Sequence, residues 1–87
     1  MSYFEELLND PNTVWSITRQ NIITKETKEF VNIYASYDTA VDGLCEWCER
    51  MAYDLYEGKD ETQFIVCEHG SRVAKYNVTI YARTLVK

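Results

Sequence analysis

The stretch "RVAKYNVTIYARTL", residues 72–85, most limits what this chain can become. Tyr76, Val78, Ile80 and Ala82 fall on one parity, and Lys75, Asn77, Thr79, Tyr81 and Arg83 fall on the other. β-Branched and aromatic residues at period two mark a strand with one apolar face. A long strand leaves a row of backbone donors and acceptors on each side. The rest of the chain must therefore supply antiparallel partners and a cover for the apolar face.

Partners are easy to find. "TVWSITRQNI" (13–22) is β-branched and aromatic, with Trp15 and Ile17 on one side. "TKETK" reads as a polar tip, after which "FVNIYASY" alternates again. There Val31, Ile33, Ala35 and Tyr37 point one way, and Phe30, Asn32, Tyr34 and Ser36 the other, completing a hairpin. "TQFIVCEH" (62–69) reads as a further strand, with Gly70-Ser71 as the turn into the last one.

Two helices are expected between and before these strands. Ser2-Tyr3-Phe4-Glu5 forms a capping box for a short helix that Asn9-Asp10-Pro11 stops. The main helix starts after Tyr37, with Asp38 or Thr39 as cap and Asp42 near its positive end. It is predicted to run to about Glu57, with Gly58 as a left-handed stop. The order is α-β-β-α-β-β. The expected fold is α+β, a single domain over residues 1–87: a four-stranded antiparallel sheet with the long helix packed on one face. Phe30, Tyr34, Tyr81 and Arg83 then line the other face.

At 87 residues the chain is near the size where a single core suffices, and its 14% aromatic content helps fill that core. No apolar run has bilayer length, and "MSYFEELLND" is acidic where a signal peptide is basic, so a cytoplasmic location without membrane contact is expected. Three cysteines, an odd number, are then expected to stay reduced. Net charge is −5, unevenly spread. Residues 38–61 hold eight acids against Arg50 and Lys59, whereas residues 62–87 hold Arg72, Lys75, Arg83 and Lys87 against Glu68. The acidic half argues against duplex DNA as a partner.

The cysteines admit several readings. On a helical wheel Val41, Leu44, Cys45, Cys48, Ala52 and Leu55 share one arc, which makes both helix cysteines core residues. Alternatively Cys45, Cys48, Cys67 and His69 have the residue types and pair spacing of a zinc site. A helical setting suits a zinc knuckle poorly, and Cys45 lies too far along for the helix dipole to activate a redox thiol. Cys67 with His69 as nucleophile and base lacks an orienting third group in the sequence. No phosphate-binding glycine loop is present, since the glycines are Gly43, Gly58 and Gly70.

The passage "YASYDTAVDGLCEWCERM" leads a strand through an aromatic-Asp-Thr start into an amphipathic helix with Leu44 and Trp47. With the small size and acidity, it resembles small phage-encoded proteins of the anti-CRISPR type. That resemblance implies a compact inhibitor that occupies a surface of a larger nucleic-acid enzyme, and it carries no residue roles.

The leading expectation is therefore a non-enzymatic, acidic protein-binding module. Its carboxylates Glu46, Glu49, Asp54, Glu57, Asp60 and Glu61 would engage the basic nucleic-acid-binding surface of a host complex, with Tyr53 and Tyr56 as anchors. No catalytic residue or cofactor is expected. The alternatives are a single-strand nucleic-acid module using Tyr34, Tyr81, Lys75 and Arg83 on the sheet, or a small zinc-stabilised domain.

Overall fold

Antiparallel pairing organises the chain. The computed structural model describes residues 12–84, so the predicted capping box and short helix at residues 2–8 lie outside the described part. Five strands form one sheet: β1 (Thr13–Asn21), β2 (Thr27–Glu29), β3 (Tyr53–Glu57), β4 (Gln63–Glu68) and β5 (Ala74–Thr84). Their order across the sheet is β2-β1-β5-β4-β3. One helix among the described residues, α1 (Tyr37–Met51), connects β2 to β3 and covers one face. The α+β class stands, with five strands instead of four.

The long strand β5 is central, as its alternation requires. It pairs with β1 (Ile17↔Ile80, Trp15↔Ala82) on one side and with β4 (Phe64↔Val78) on the other. Ile17, Leu44, Val66 and Ile80 are fully buried between sheet and helix. Each contributes roughly 1.5–3 kcal/mol of transfer free energy.

The main helix is shorter than its sequence predicts. It ends at Met51, and Ala52 closes it in the left-handed conformation (φ 57°, ψ 47°), its amide donating to the Cys48 and Glu49 carbonyls. Residues 53–57 become edge strand β3, paired to β4 through Tyr53↔Glu68 and Leu55↔Val66. Both periods fit this segment, and pairing to β4 decides in favour of the strand by burying Leu55 and Tyr53 against the core. Gly58 is accordingly no helix stop. It sits in the β3–β4 turn, where its amide donates to the Gln63 carbonyl at 2.8 Å.

The helix start is also displaced, by two or three residues from the predicted caps Asp38 and Thr39. Ser36 is the N-cap, its hydroxyl accepting from the Thr39 amide while the Thr39 hydroxyl accepts from the Ser36 amide. Asp38 occupies the first turn.

The strand predicted over residues 30–37 does not form: β2 is three residues long and overlaps the predicted polar tip, and beyond Glu29 the chain takes the opposite parity to that expected. The Phe30 amide donates to the Ile17 carbonyl, and Tyr34 bridges to Trp15. Phe30 and Tyr34 therefore turn toward the helix side. Residues 31–33 loop out between those two anchors, leaving Val31 97% and Ile33 59% exposed. No helix of the described residues is long and apolar enough to cross a membrane.

Candidate functional site

Two constellations of charged and aromatic side chains surround α1, one along its solvent side and around its N-terminal end, the other near its C-terminal end. The first is acidic. Asp38, Asp42, Glu46 and Glu49 recur at helical spacing on the solvent side of α1, and all four are exposed. Steps of three or four residues put neighbouring carboxylates roughly 5–6 Å apart along the axis. The β3–β4 turn brings Glu57, Asp60 and Glu61 to the same end as Asp38, around Tyr37. The Tyr37 hydroxyl donates to the Glu61 carbonyl. Its pKa is raised, first by burial and then by the charges of Glu61, Asp38, Asp60 and Glu57.

Asp60 is built into the turn. It accepts from the Thr62 amide at 2.8 Å and from the Thr62 hydroxyl, bonds that hold its carboxyl below the usual range. The remaining acids here are uncommitted. Among the described residues none of Asp38, Asp42, Glu46, Glu49, Glu57 and Glu61 has an ion-pair partner.

The structure therefore separates the predicted binding residues. Glu46 and Glu49 lie on the helix ridge, and Glu57, Asp60 and Glu61 lie at its N-terminal end. Tyr53 is withdrawn into the core cluster, because residue 53 is the first of β3 and shares the parity of Leu55. Asp54 and Tyr56 take the other parity and turn to the far sheet face. Asp54 accepts from the Gly70 amide at 3.3 Å and lies 3.1 Å from His69 Nδ1. These bonds, His69 first, lower the Asp54 pKa.

The second constellation is aromatic and cationic. Trp47 packs its ring near those of Phe30 (5.2 Å), Tyr53 (5.2 Å) and Tyr76 (5.9 Å). Arg19 lies over Phe30 and Trp47 at 5.3 and 5.4 Å, and Lys75 lies over Tyr53 and Tyr76 at 5.3 and 5.9 Å. A register shift explains Lys75. Val66 pairs with Tyr76, but the next residue, Cys67, pairs with Ala74, so Lys75 is skipped and swings to the Tyr76 side. There it meets Glu68 at 3.0 Å, which with Tyr53 raises its pKa.

The aromatic-basic platform expected on the open sheet face is thus divided. Tyr34 and Lys75 are on the helix side, and Tyr34 lies so close to Gly43 that a Cβ there would meet its ring. Tyr81 and Arg83 keep the far face, and both bind the Glu29 carboxylate, at 2.6 and 3.4 Å. The cluster of Arg19, Phe30, Trp47 and Tyr76 escaped the sequence reading. One signal was available: Arg19 shares the parity of Trp15 and Ile17, so β1 carries a cation on its core-facing side.

The cysteines and histidine do not converge. Cys45 is exposed on the acidic ridge, correcting its place in the core stripe. With Ala52 and Leu55 outside the helix, the buried arc centres on Ala40, Leu44 and Cys48 with Trp47 at its flank. Cys48 is 4% exposed beneath α1, where burial, then Cys45 and Asp54, push its thiol up to about 11. Cys67, also 4% exposed, belongs to the far-face parity with Ile65 and Tyr56. Asp54 does orient His69, but no hydrogen bond joins His69 to Cys67. Among the described residues no three His, Cys, Asp or Glu side chains gather as a ligand set for a metal.

Comparisons with family models, with curated proteins and with solved structures return no match for this chain.

Proposed function

We propose that the protein is a non-enzymatic binding module whose acidic helix ridge occupies a basic, nucleic-acid-binding surface of a larger protein complex. One observation carries this reading. Asp38, Asp42, Glu46 and Glu49 form a continuous exposed row with no cation partner among the described residues, and Glu57 and Glu61 extend it at one end. A ridge of this kind offers Lys and Arg side chains a run of carboxylates in place of phosphates. Its charge accelerates encounter, and packing around it sets the lifetime of the complex. The resemblance to small anti-CRISPR-type inhibitors fits the same mode of action, surface occlusion of a phage-targeting nuclease complex.

The residues assigned to contact are Asp42, Glu46 and Glu49 on the helix, with Glu57, Asp60 and Glu61 beside its N-terminus. Tyr53, Asp54 and Tyr56 are not assigned to contact.

The test uses immobilised protein exposed to extract from its source cell. The expected catch is a nucleic-acid-binding complex that is released by rising salt and displaced by an added oligonucleotide. A triple variant, Asp42→Asn with Glu46→Gln and Glu49→Gln, should lose the catch while melting no lower than the parent protein. A catch that ignores salt and oligonucleotide, or survives the triple substitution, overturns the proposal.

A further inference from the structure

We infer that the opposite end of the molecule holds a second, independent site, for the phosphate and flat ring of a nucleotide-type ligand. A like-charge pair marks the place. In the β1–β2 register Arg19 stands directly opposite Lys28, on the same sheet face. Cations so placed destabilise an antiparallel pair. Nothing among the described residues neutralises Arg19, which is half-buried and makes no ion pair. Lys28 meets only Glu26, at 3.5 Å, with both side chains 60% or more exposed, a contact of little worth. Glu29 is turned to the far face by Tyr81 and Arg83.

Arg19 also divides two adjoining depressions. One, of about 150 Å³, is polar and is lined by Arg19, Lys28, Asn21 and Thr24, with Glu26 and Tyr76 at its walls. The other, of about 250 Å³, has aromatic walls from Phe30, Tyr34 and Trp47, with Asn32 and a second guanidinium, Arg50, lining it. Gly43 lets the Tyr34 ring lie against the helix there.

A ligand that fills both must carry an anion joined to a flat, partly apolar body. A phosphate beside Arg19 and Lys28 accepts charge-assisted bonds and removes the repulsion between them. A base in the neighbouring cleft meets the aromatic walls and Asn32. The same chemistry is offered by a free mononucleotide and by a single strand.

Titration of the protein, read by tryptophan fluorescence and by melting temperature, tests this with three probes: inorganic phosphate, a mononucleotide and a short single-stranded oligonucleotide. Saturable quenching by the mononucleotide, competed by inorganic phosphate, is expected. Arg19→Gln should weaken it about tenfold or more, the worth of a lost charge-assisted contact. Lys28→Gln, an exposed substitution that leaves folding intact, should raise the melting temperature of the free protein and weaken binding. Much tighter binding of the oligonucleotide assigns the strand as ligand, and equal binding assigns the nucleotide. No saturable response to any probe overturns the inference. So does binding that Lys28→Gln leaves unchanged.

Discussion

The two ends of α1 treat charge in opposite ways. At the N-terminal end, carboxylates crowd around Tyr37 with no cation among the described residues to answer them. At the C-terminal end, Arg19 and Lys75 lie over four rings that pack on one another. The ring end stabilises the fold by buried area and ring contacts, terms that salt does not screen. The acid end is held by the Tyr37 ring against Trp15, the Tyr37–Glu61 bond and the local bonds of Asp60, and its surplus charge works against compactness. Stability is therefore expected to concentrate at one end and free charge at the other.

The largest predicted effect tests that division. Trp47→Ala removes the ring shared by Phe30, Tyr53 and Tyr76 and should cost about 3 kcal/mol in urea denaturation. At the acid end, Tyr37→Phe deletes the bond to the Glu61 carbonyl and should cost about 1 kcal/mol. A larger loss from Tyr37→Phe would reverse the comparison.

Next in size is the helix stop. Ala52 holds φ 57°, which an L-residue adopts at a cost of about 1–2 kcal/mol and glycine adopts freely. Ala52→Gly should stabilise the protein by about 0.5–1 kcal/mol after the added freedom of the unfolded chain is subtracted. A loss of stability would show that the Ala52 methyl group packs usefully.

Acid titration gives a smaller effect, present at both ends. Asp54 and Asp60 have folded pKa values below their ordinary ones, so their contributions are complete above about pH 4 and vanish as pH falls through the lowered folded values. Melting temperature measured from pH 6 down to pH 2 should fall less steeply in Asp54→Asn and in Asp60→Asn than in the parent. Slopes identical to the parent's would refute the assignment.

The smallest change concerns chemistry alone. Cys45 should react with a maleimide in the native protein without altering stability. Cys48 and Cys67, each 4% exposed, should wait for unfolding. Mass spectrometry of the labelled protein checks it, and one fast thiol is the expected count.

Much of this was legible in the residues. The parity of β5 and of β1 through Ile17 came from alternation, and it places Tyr76, Val78, Ile80 and Ala82 where the helix covers them. The acidic ridge was visible too, since Asp42, Glu46 and Glu49 keep a 3.6-residue period whatever lies beneath them. The aromatic-cationic end was not. It joins Arg19, Phe30, Trp47, Tyr53 and Tyr76 from four strands or loops and one helix, and no local pattern connects them.

Local chemistry thus determined the strand interiors of β1, β4 and β5, the body of α1 with its start to within three residues, and how charge is distributed along the chain. Tertiary structure alone decided the fate of residues 52–57, the direction of Phe30 and Tyr34, the side taken by Lys75 and the exposure of Cys45. The reason is common to all four. A side chain's parity is a local property, but the register that gives parity a direction depends on a partner far along the chain. β4 drew residues 53–57 out of the helix, and once they left, the buried face of α1 was reset around Leu44, Trp47 and Cys48.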